Sequence, residues 1–235
     1  MSDATIVALY DHYDDASKAV SDIVATGVPQ DRISLLANNL SGDHPALVSN
    51  PAVAAEDFAS RDEAQPAAVT GAEVGISIGG VVGVLAAAGA IVIPGIGPLI
   101  AAGALATIAT GAAAGGVIGG AVGMLTEHGI SHEDSHLYAE GLKRGGTLVT
   151  VVAEEARLDA IRQIFKAHGA VDIEKRGASW TAEGWVSFDH EADHPTPDEL
   201  AAIRARTDDG HAVDDHHDVR HYFHPGSANF ALRAG

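Results

Sequence analysis

The longest uncharged stretch of this sequence constrains its fold more than any other feature. Residues 74–126 are 53 consecutive positions without Asp, Glu, Lys or Arg, and they include 14 glycines and 13 alanines. A Pro- and Gly-containing breaker at 93–98 divides the run into Val74–Ile93 and Leu99–Leu125. Each part is long enough for the roughly 20 apolar residues that cross a bilayer as a helix. The run therefore predicts a helical hairpin.

Glycines recur at every fourth position in both halves of this hairpin. They are Gly75, Gly79 and Gly83 in the first half, and Gly111, Gly115, Gly119 and Gly123 in the second. Residues four apart lie on the same face of a helix, and a glycine stripe lets two helix backbones approach closely. Glycine costs about 1 kcal/mol per helical position relative to alanine, so seven in register predict a function. We expect this glycine zipper to close the hairpin and to join copies of the chain.

The segments on either side of the hairpin share one pattern of strand, helix and strand. Residues 1–40 predict strands at Thr5–Tyr10 and Ile33–Ala37 around a helix that starts near Asp14, and residues 127–188 predict strands at Thr147–Ala153 and Val171–Glu174 around a helix from Arg157 to His168. Two such units make a ferredoxin-like sheet of four strands with two helices on one face. The predicted fold class is therefore α+β, a ferredoxin-like split βαβ sandwich with an inserted Gly/Ala-rich helical hairpin.

Two polar segments complete the predicted domain map. Residues 41–73 are predicted to be a linker, because they are polar, contain proline and show little periodicity. Residues 189–235 are predicted to form an acidic, His-rich tail with one short helix near Pro197–Arg206. Both halves of a split domain must lie on the same side of a membrane, and a hairpin at 74–126 that crosses twice satisfies this requirement.

Three stretches of the sequence resemble a known protein family. They are Ile6–Asp11, Asp31–Leu36 and Tyr138–Val149, the last of which follows the Gly/Ala-rich hairpin. Together they resemble the heat-induced domain of bacterial general stress proteins, the 17M-like family, in a longer, hydrophobic and glycine-rich variant. The resemblance implies a stress-associated protein, and it implies no established reaction, cofactor or catalytic residue.

Charge and cysteine content exclude several classes of partner and site. The chain has 14 basic and 32 acidic residues, a formal net charge of −18, so it is expected to repel nucleic acid. It has no cysteine, which rules out disulfides and cysteine-bound metals. The first four residues, Met1–Ala4, lack the basic and apolar regions of a secretory signal, which indicates a cytoplasmic location for the polar domain.

The sequence leaves the environment of the hairpin open between a bilayer and a protein core. The Val, Ile and Leu residues of Val74–Ile93 favour insertion by about 0.3 to 0.6 kcal/mol each near the bilayer centre. No Trp, Tyr or Phe lies between Ala59 and Leu137, however, so the usual interfacial anchors are absent. The alternative is a soluble homo-oligomer in which several chains bury their hairpins against one another.

Histidines suggest two metal sites, each with a simpler interpretation. His132 and His136 match the H-E-x-x-H pattern of zinc peptidases, but no third ligand stands at a recognised spacing. Ser131 and Asp134 also indicate an ordinary helix N-terminus. In the tail, His217 and His221 with Asp218 would hold a divalent ion if this segment were helical. The simpler interpretation is a solvated His/Asp-rich tail whose histidines titrate near neutrality.

These features favour a non-enzymatic general-stress-type protein. We expect the glycine-zipper hairpin to anchor it at the cytoplasmic side of the inner membrane, to drive homo-oligomerisation, or both. No catalytic residue and no cofactor are expected, apart from a divalent metal at the His-rich tail. The expected partners are a second copy of the chain and the lipid bilayer. The alternatives are a soluble cytoplasmic oligomer and a His-rich metal-binding protein or metallohydrolase.

Overall fold

A computed structural model describes residues 3–38, 89–93, 97–103, 120–127, 129–208 and 219–223 of the chain. In these ranges the chain forms mixed helix and strand. The strands are β1 (Asp3–Tyr10), β2 (Ile33–Asn38), β3 (Gly89–Ile93), β4 (Gly97–Ala102), β5 (Thr147–Glu154) and β6 (His221–Phe223). The helices are α1 (Tyr13–Ala25), α2 (Gly120–Glu127), α3 (His132–Lys143), α4 (Leu158–Ala167), α5 (Ile173–Ala182) and α6 (Pro197–Asp208).

The six strands form one antiparallel sheet in the order β3-β4-β2-β5-β1-β6. At its centre β5 pairs with both β1 and β2, so that Val151 lies opposite Ile6 on one side and Ile33 on the other. The strand that begins the second half of the chain therefore lies between the two strands of the first half. The prediction that both halves contribute strands to one sheet is confirmed.

Helices cover both faces of the sheet, whereas the sequence predicted helices on one face only. On one face, α1 and α4 pack against β1, β2 and β5 through Val20, Ile23, Ile161 and Phe165. On the other face, α2, α3 and α5 contribute Leu125, Tyr138, Leu142 and Trp180. The physical reason lies in the strands: β1 and β2 are buried at successive positions, so neither face is left for water.

The prediction of a strand at Val171–Glu174 is wrong, because a helix begins within this segment at Ile173. Val171 does donate a backbone hydrogen bond to the Leu9 carbonyl oxygen at 2.7 Å, but the chain then turns into α5. The turn is fixed by Asp172, whose carboxylate accepts a hydrogen bond from the Lys175 backbone N–H at 3.0 Å and caps the helix. The sheet edge beside β1 is instead occupied by β6, from the predicted tail.

The prediction of a helical hairpin is also wrong for the described residues that precede α2. Residues Gly89–Ile93 and Gly97–Ala102 are the strands β3 and β4, which pair with each other on either side of the predicted breaker. Two physical reasons favour strands here: Ile91, Val92 and Ile93 are β-branched, and β4 supplies hydrogen-bond partners for the edge of β2. Helix is present at Gly120–Glu127. Residues 74–88 and 104–119 lie outside the described ranges.

Candidate functional site

The outermost strand on one side of the sheet is β3, and it comes from the uncharged run. Its backbone pairs with β4 from Gly89 opposite Ala101 to Ile93 opposite Gly97. Within the described ranges no strand pairs with its other side. An edge strand presents a row of backbone N–H and C=O groups that can pair with another chain.

The residue types of this edge differ from those of protected sheet edges. Proteins block edge-to-edge pairing with charged side chains, proline, bulges or very short strands. The five residues of β3, Gly-Ala-Ile-Val-Ile, include no charge and no proline. At the opposite edge, β6 is only three residues long and follows the charged Arg220. The β3 edge is therefore the one that is suited to pair with another strand.

Close packing at Gly103 fixes β4 against β2. Gly103 follows β4 with a φ of +80°, in the left-handed region that favours glycine. A β-carbon at this position would lie 2.1 Å from the Ile33 carbonyl oxygen and 2.8 Å from the Ser34 Cα. Only a residue without a side chain allows this approach, so the glycine content of the run serves strand packing here.

Of the seven glycines in the predicted stripe, the structure describes one. Gly123 lies in α2, where the neighbouring Leu125 is fully buried in the core face that α3 and α5 also cover. The other six stripe residues, Gly75, Gly79, Gly83, Gly111, Gly115 and Gly119, lie outside the described residues. The glycine zipper therefore stays a prediction.

The His132–His136 pair lies on the first turns of α3, with ring centroids 4.8 Å apart. The simpler interpretation of this segment is confirmed: Ser131 caps the helix, and its hydroxyl accepts a hydrogen bond from the Asp134 backbone N–H at 3.2 Å. Desolvation, with a smaller contribution from His132, lowers the pKa of His136. Its Nδ1 is buried without a hydrogen-bond partner within the described part of the chain. The arrangement favours a neutral His136.

A buried polar network attaches the tail to the domain. The Asp134 residue is 5 % exposed, and its carboxylate accepts hydrogen bonds from Arg220 and, at 2.9 Å, from the Tyr222 hydroxyl. Burial, together with Tyr138 and Asp134, raises the pKa of Tyr222, so this phenol stays a hydrogen-bond donor. The adjacent Val219 is 3 % exposed. Residues 219–223 thus pack on the domain, whereas the sequence predicted that they belong to the tail.

The predicted metal ligands of the tail are only partly described. His221 lies in β6, so the helical geometry assumed for His217 and His221 does not hold at His221. Its Nδ1 lies 2.9 Å from Arg162 Nη2 and accepts that hydrogen bond, since a guanidinium only donates. His217 and Asp218 lie outside the described residues. In the ranges that are described, no three His, Asp or Glu side chains are grouped so as to hold a metal ion.

The residues that sequence reasoning missed are Arg220 and Tyr222. Tyr222 lies opposite Thr5 in the β1–β6 pairing, and the Arg220 carbonyl oxygen accepts from the Val7 N–H at 3.1 Å. The one signal available was a short apolar and aromatic stretch within an acidic tail.

Among the helices that the structure describes, none has the length and apolar character needed to span a bilayer.

Comparisons of the chain with models of protein families, with curated proteins and with solved structures found no match.

Proposed function

We propose that this protein is a non-enzymatic assembly protein that associates with further copies of itself through its uncharged run, residues 74–126. The observation that carries the proposal is the position of β3: the most apolar segment of the chain supplies an edge of the sheet. The α/β domain would then be displayed around the associated edges. The connection to general stress rests on the sequence resemblance alone and is part of the same proposal.

The occupant we propose for the β3 edge is the same edge of a second copy. Two identical strands can pair antiparallel about a twofold axis, which closes the interface and leaves no free edge. Charge supports this choice, because the chain carries a net charge of −18 and copies repel each other over most of their surface. The run 74–126 carries no charge, so contact through it avoids that repulsion at short range.

The topology also supports the finer fold proposal. The strands β6, β1, β5 and β2 are adjacent in that order, with β1 and β5 central, as expected for a ferredoxin-like sheet made from two βαβ halves. In this interpretation β3 and β4 extend that sheet on the β2 side. In this arrangement β3 and β4, from the uncharged run, lie at one end of the sheet, and β6, from the predicted tail, lies at the other.

A bilayer anchor is the second candidate, and its support is the 53-residue run without charge. Backbone polar groups within the hydrocarbon must be satisfied internally, as in a helix. β4 uses its backbone groups on β3 and β2, whereas the outer side of β3 pairs with no strand in the described ranges, so these two strands do not satisfy their backbone groups internally as a bilayer requires. Anchoring would therefore depend on residues 74–88 and 104–119. For this reason we favour assembly.

Fractionation followed by sedimentation velocity tests the proposal. We expect the chain in the carbonate-soluble fraction, with a mass that is a multiple of its 24.0 kDa monomer. A charge on an edge strand opposes strand pairing, so Ile91→Lys and Val92→Lys, at consecutive positions of β3, should each shift the protein towards monomer. The matched control is Val186→Lys, which places the same charge at a side chain that is 89 % exposed.

Three outcomes would contradict assembly through β3. They are a monomeric wild type, lysine variants that keep the oligomer while circular dichroism shows them folded, and a V186K control that dissociates equally. Recovery of the chain in carbonate-washed membranes would support the bilayer anchor instead.

A further inference from the structure

A cleft of about 260 Å³ lies away from the β3 edge, where the end of β1 meets α3, α5 and α6. One wall is the loop after β1, with Asp11, and another is the end of α3, with Arg144 and Gly145. Helix α5 contributes Arg176 and α6 contributes Arg204. The cleft is thus built from segments far apart in the sequence, and the fold alone brings them together.

The lining of this cleft has an unusual charge for so acidic a chain. Four of the ten arginines in the sequence line it, namely Arg144, Arg176, Arg204 and Arg206, against two carboxylates, Asp11 and Glu183. The chain as a whole has more than two acidic residues for each basic one. A local excess of guanidinium groups against this background makes the cleft a place where an anion is attracted while the rest of the surface repels it.

Two of these arginines are held in fixed orientations. Arg176 forms a two-pronged pair with Asp11, with both N–O distances at 2.9 Å. Arg144 donates to Glu140 at 2.7 Å, and its guanidinium carbon lies 4.9 Å from the centre of the Trp180 ring. A guanidinium has five N–H donors, so these contacts position each group and leave further donors for a ligand.

The other two arginines come from α6, which is anchored beside the cleft by the fully buried Leu200. Arg206 donates to the carbonyl oxygen of Ala202 in its own helix at 3.3 Å, and it forms no ion pair within the described ranges. The guanidinium of Arg204 lies close to Gly145, since a β-carbon there would be 3.5 Å from Arg204 Nε. A side chain at Gly145 would enter this space beside Leu200 and Arg204.

We propose that this cleft binds a small anion that carries a phosphate group. The planar N–H donors of arginine match the oxygens of a phosphate. Arg144, held by Glu140 and Glu183, and Arg176, held by Asp11, offer their remaining donors at little ordering cost. Arg204 and Arg206 bring two further guanidinium groups to the cleft. The volume suits a phosphate with a small organic part rather than a large cofactor. The phosphate can belong to a soluble molecule or to a lipid headgroup. This activity is separate from self-association and does not depend on it.

Isothermal titration calorimetry of the full chain with inorganic pyrophosphate tests the proposal. We expect saturable binding that the double variant Arg204→Gln, Arg206→Gln weakens at least about tenfold. Both positions lie on the outer helix α6, so the variant is expected to fold, and circular dichroism checks this. The matched control is Arg157→Gln, a charge of the same kind outside the cleft that donates only to the Thr26 carbonyl oxygen in the described structure.

A second arm identifies the source of the phosphate. Sedimentation with phosphatidylcholine vesicles, with and without phosphatidic acid, measures binding to a lipid headgroup. Pyrophosphate binding without vesicle binding assigns a soluble ligand, and loss of phosphatidic acid binding in the double variant but not in R157Q assigns a headgroup. The proposal is overturned if neither probe binds at up to about 10 mM phosphate groups. Equal affinity of the wild type and the folded double variant would overturn it as well.

Discussion

Arg220 of the tail forms an ion pair with Asp134 at the start of α3, 86 positions earlier in the chain. Asp134 is almost fully buried, and Tyr222, two residues beyond Arg220, donates to its other carboxylate oxygen. Backbone pairing of β6 with β1 adds to this contact. The segment 219–223 is therefore packed against the domain, and its strand β6 is part of the sheet.

Breaking this ion pair should destabilise the protein. We expect Arg220→Gln to lower the free energy of unfolding by about 2–4 kcal/mol, because it leaves a buried carboxylate without its cation. This range is set somewhat lower than the one for fully buried ion pairs, because the Arg220 side chain is 29 % exposed. Arg32→Gln is the control: it removes an exposed pair with Asp3 and should cost at most about 1 kcal/mol. Urea titration of both variants measures the difference, and equal costs would refute the structural role of Arg220.

The pairing of β4 with β2 predicts an asymmetry between two glycines. Gly27→Ala places a side chain at a φ of +86° with open space around it, and should cost about 1–2 kcal/mol. Gly103→Ala has a similar φ, but its β-carbon would overlap the Ile33 carbonyl oxygen, so we expect about 1–3 kcal/mol more. Thermal melts monitored by circular dichroism compare them. If Gly103→Ala is no more costly than Gly27→Ala, β4 does not pack on β2.

Self-association through an uncharged edge predicts a characteristic response to salt. Each chain carries a net charge of −18, and added salt screens the repulsion between chains, with a Debye length that falls from about 10 Å at 0.1 M to about 3 Å at 1 M. The association constant, measured by sedimentation equilibrium in sodium chloride, should therefore rise across this range. A constant that falls with salt would indicate an interface held by ion pairs and would contradict contact through the run.

The environment of His136 predicts a component of acid destabilisation. Desolvation, followed by His132, lowers the pKa of His136 below its ordinary value of 6.5, against an opposing hydrogen bond to the backbone of Phe188. The unfolded chain then binds a proton more readily than the folded one, so the stability from this group is complete above about pH 6.5 and is lost as the pH falls below it. His136→Gln should flatten the dependence of the melting temperature on pH between about 7 and 5.

The control for this prediction is His190→Gln, at an exposed histidine. It makes the same substitution at a solvent-exposed position and so measures the effect of replacing a histidine by glutamine as such. A His136→Gln profile parallel to that of the wild type would show that His136 titrates alike in the folded and unfolded chains.

The parts of the fold that sequence could predict are those in which local pattern and tertiary structure agree. The strand Thr5–Tyr10 is a continuous apolar segment, and the helix around Ile161 and Phe165 has the spacing of one buried face, so both appear as predicted. Asp172 shows the opposite case. A capping residue within an apolar stretch was missed, and a helix start was predicted as the end of a strand.

The prediction of a helix in the part of the uncharged run that forms β3 and β4 was wrong for a different reason. Its glycine and alanine content satisfies the requirements of close helix packing and of close strand packing alike, and the Gly103 contact with Ile33 depends on β2, from elsewhere in the chain. The arginine cleft could not be predicted from the sequence either, because Arg144, Arg176 and Arg204 share no motif and come together only in the fold. Local sequence does not encode such long-range partners.

Disulfide cross-linking at β3 tests the central claim, self-association through this edge, most directly. The chain has no cysteine, so each introduced cysteine is the only thiol present. The variants are Ala90→Cys, Ile91→Cys and Val92→Cys, with the exposed Val186→Cys as the control. Under mild oxidation at low protein concentration, pairing of two β3 strands about a twofold axis predicts rapid covalent dimers for at least one β3 variant and slow ones for V186C. Equally slow dimerisation of all four variants, each shown to be folded, would contradict the account.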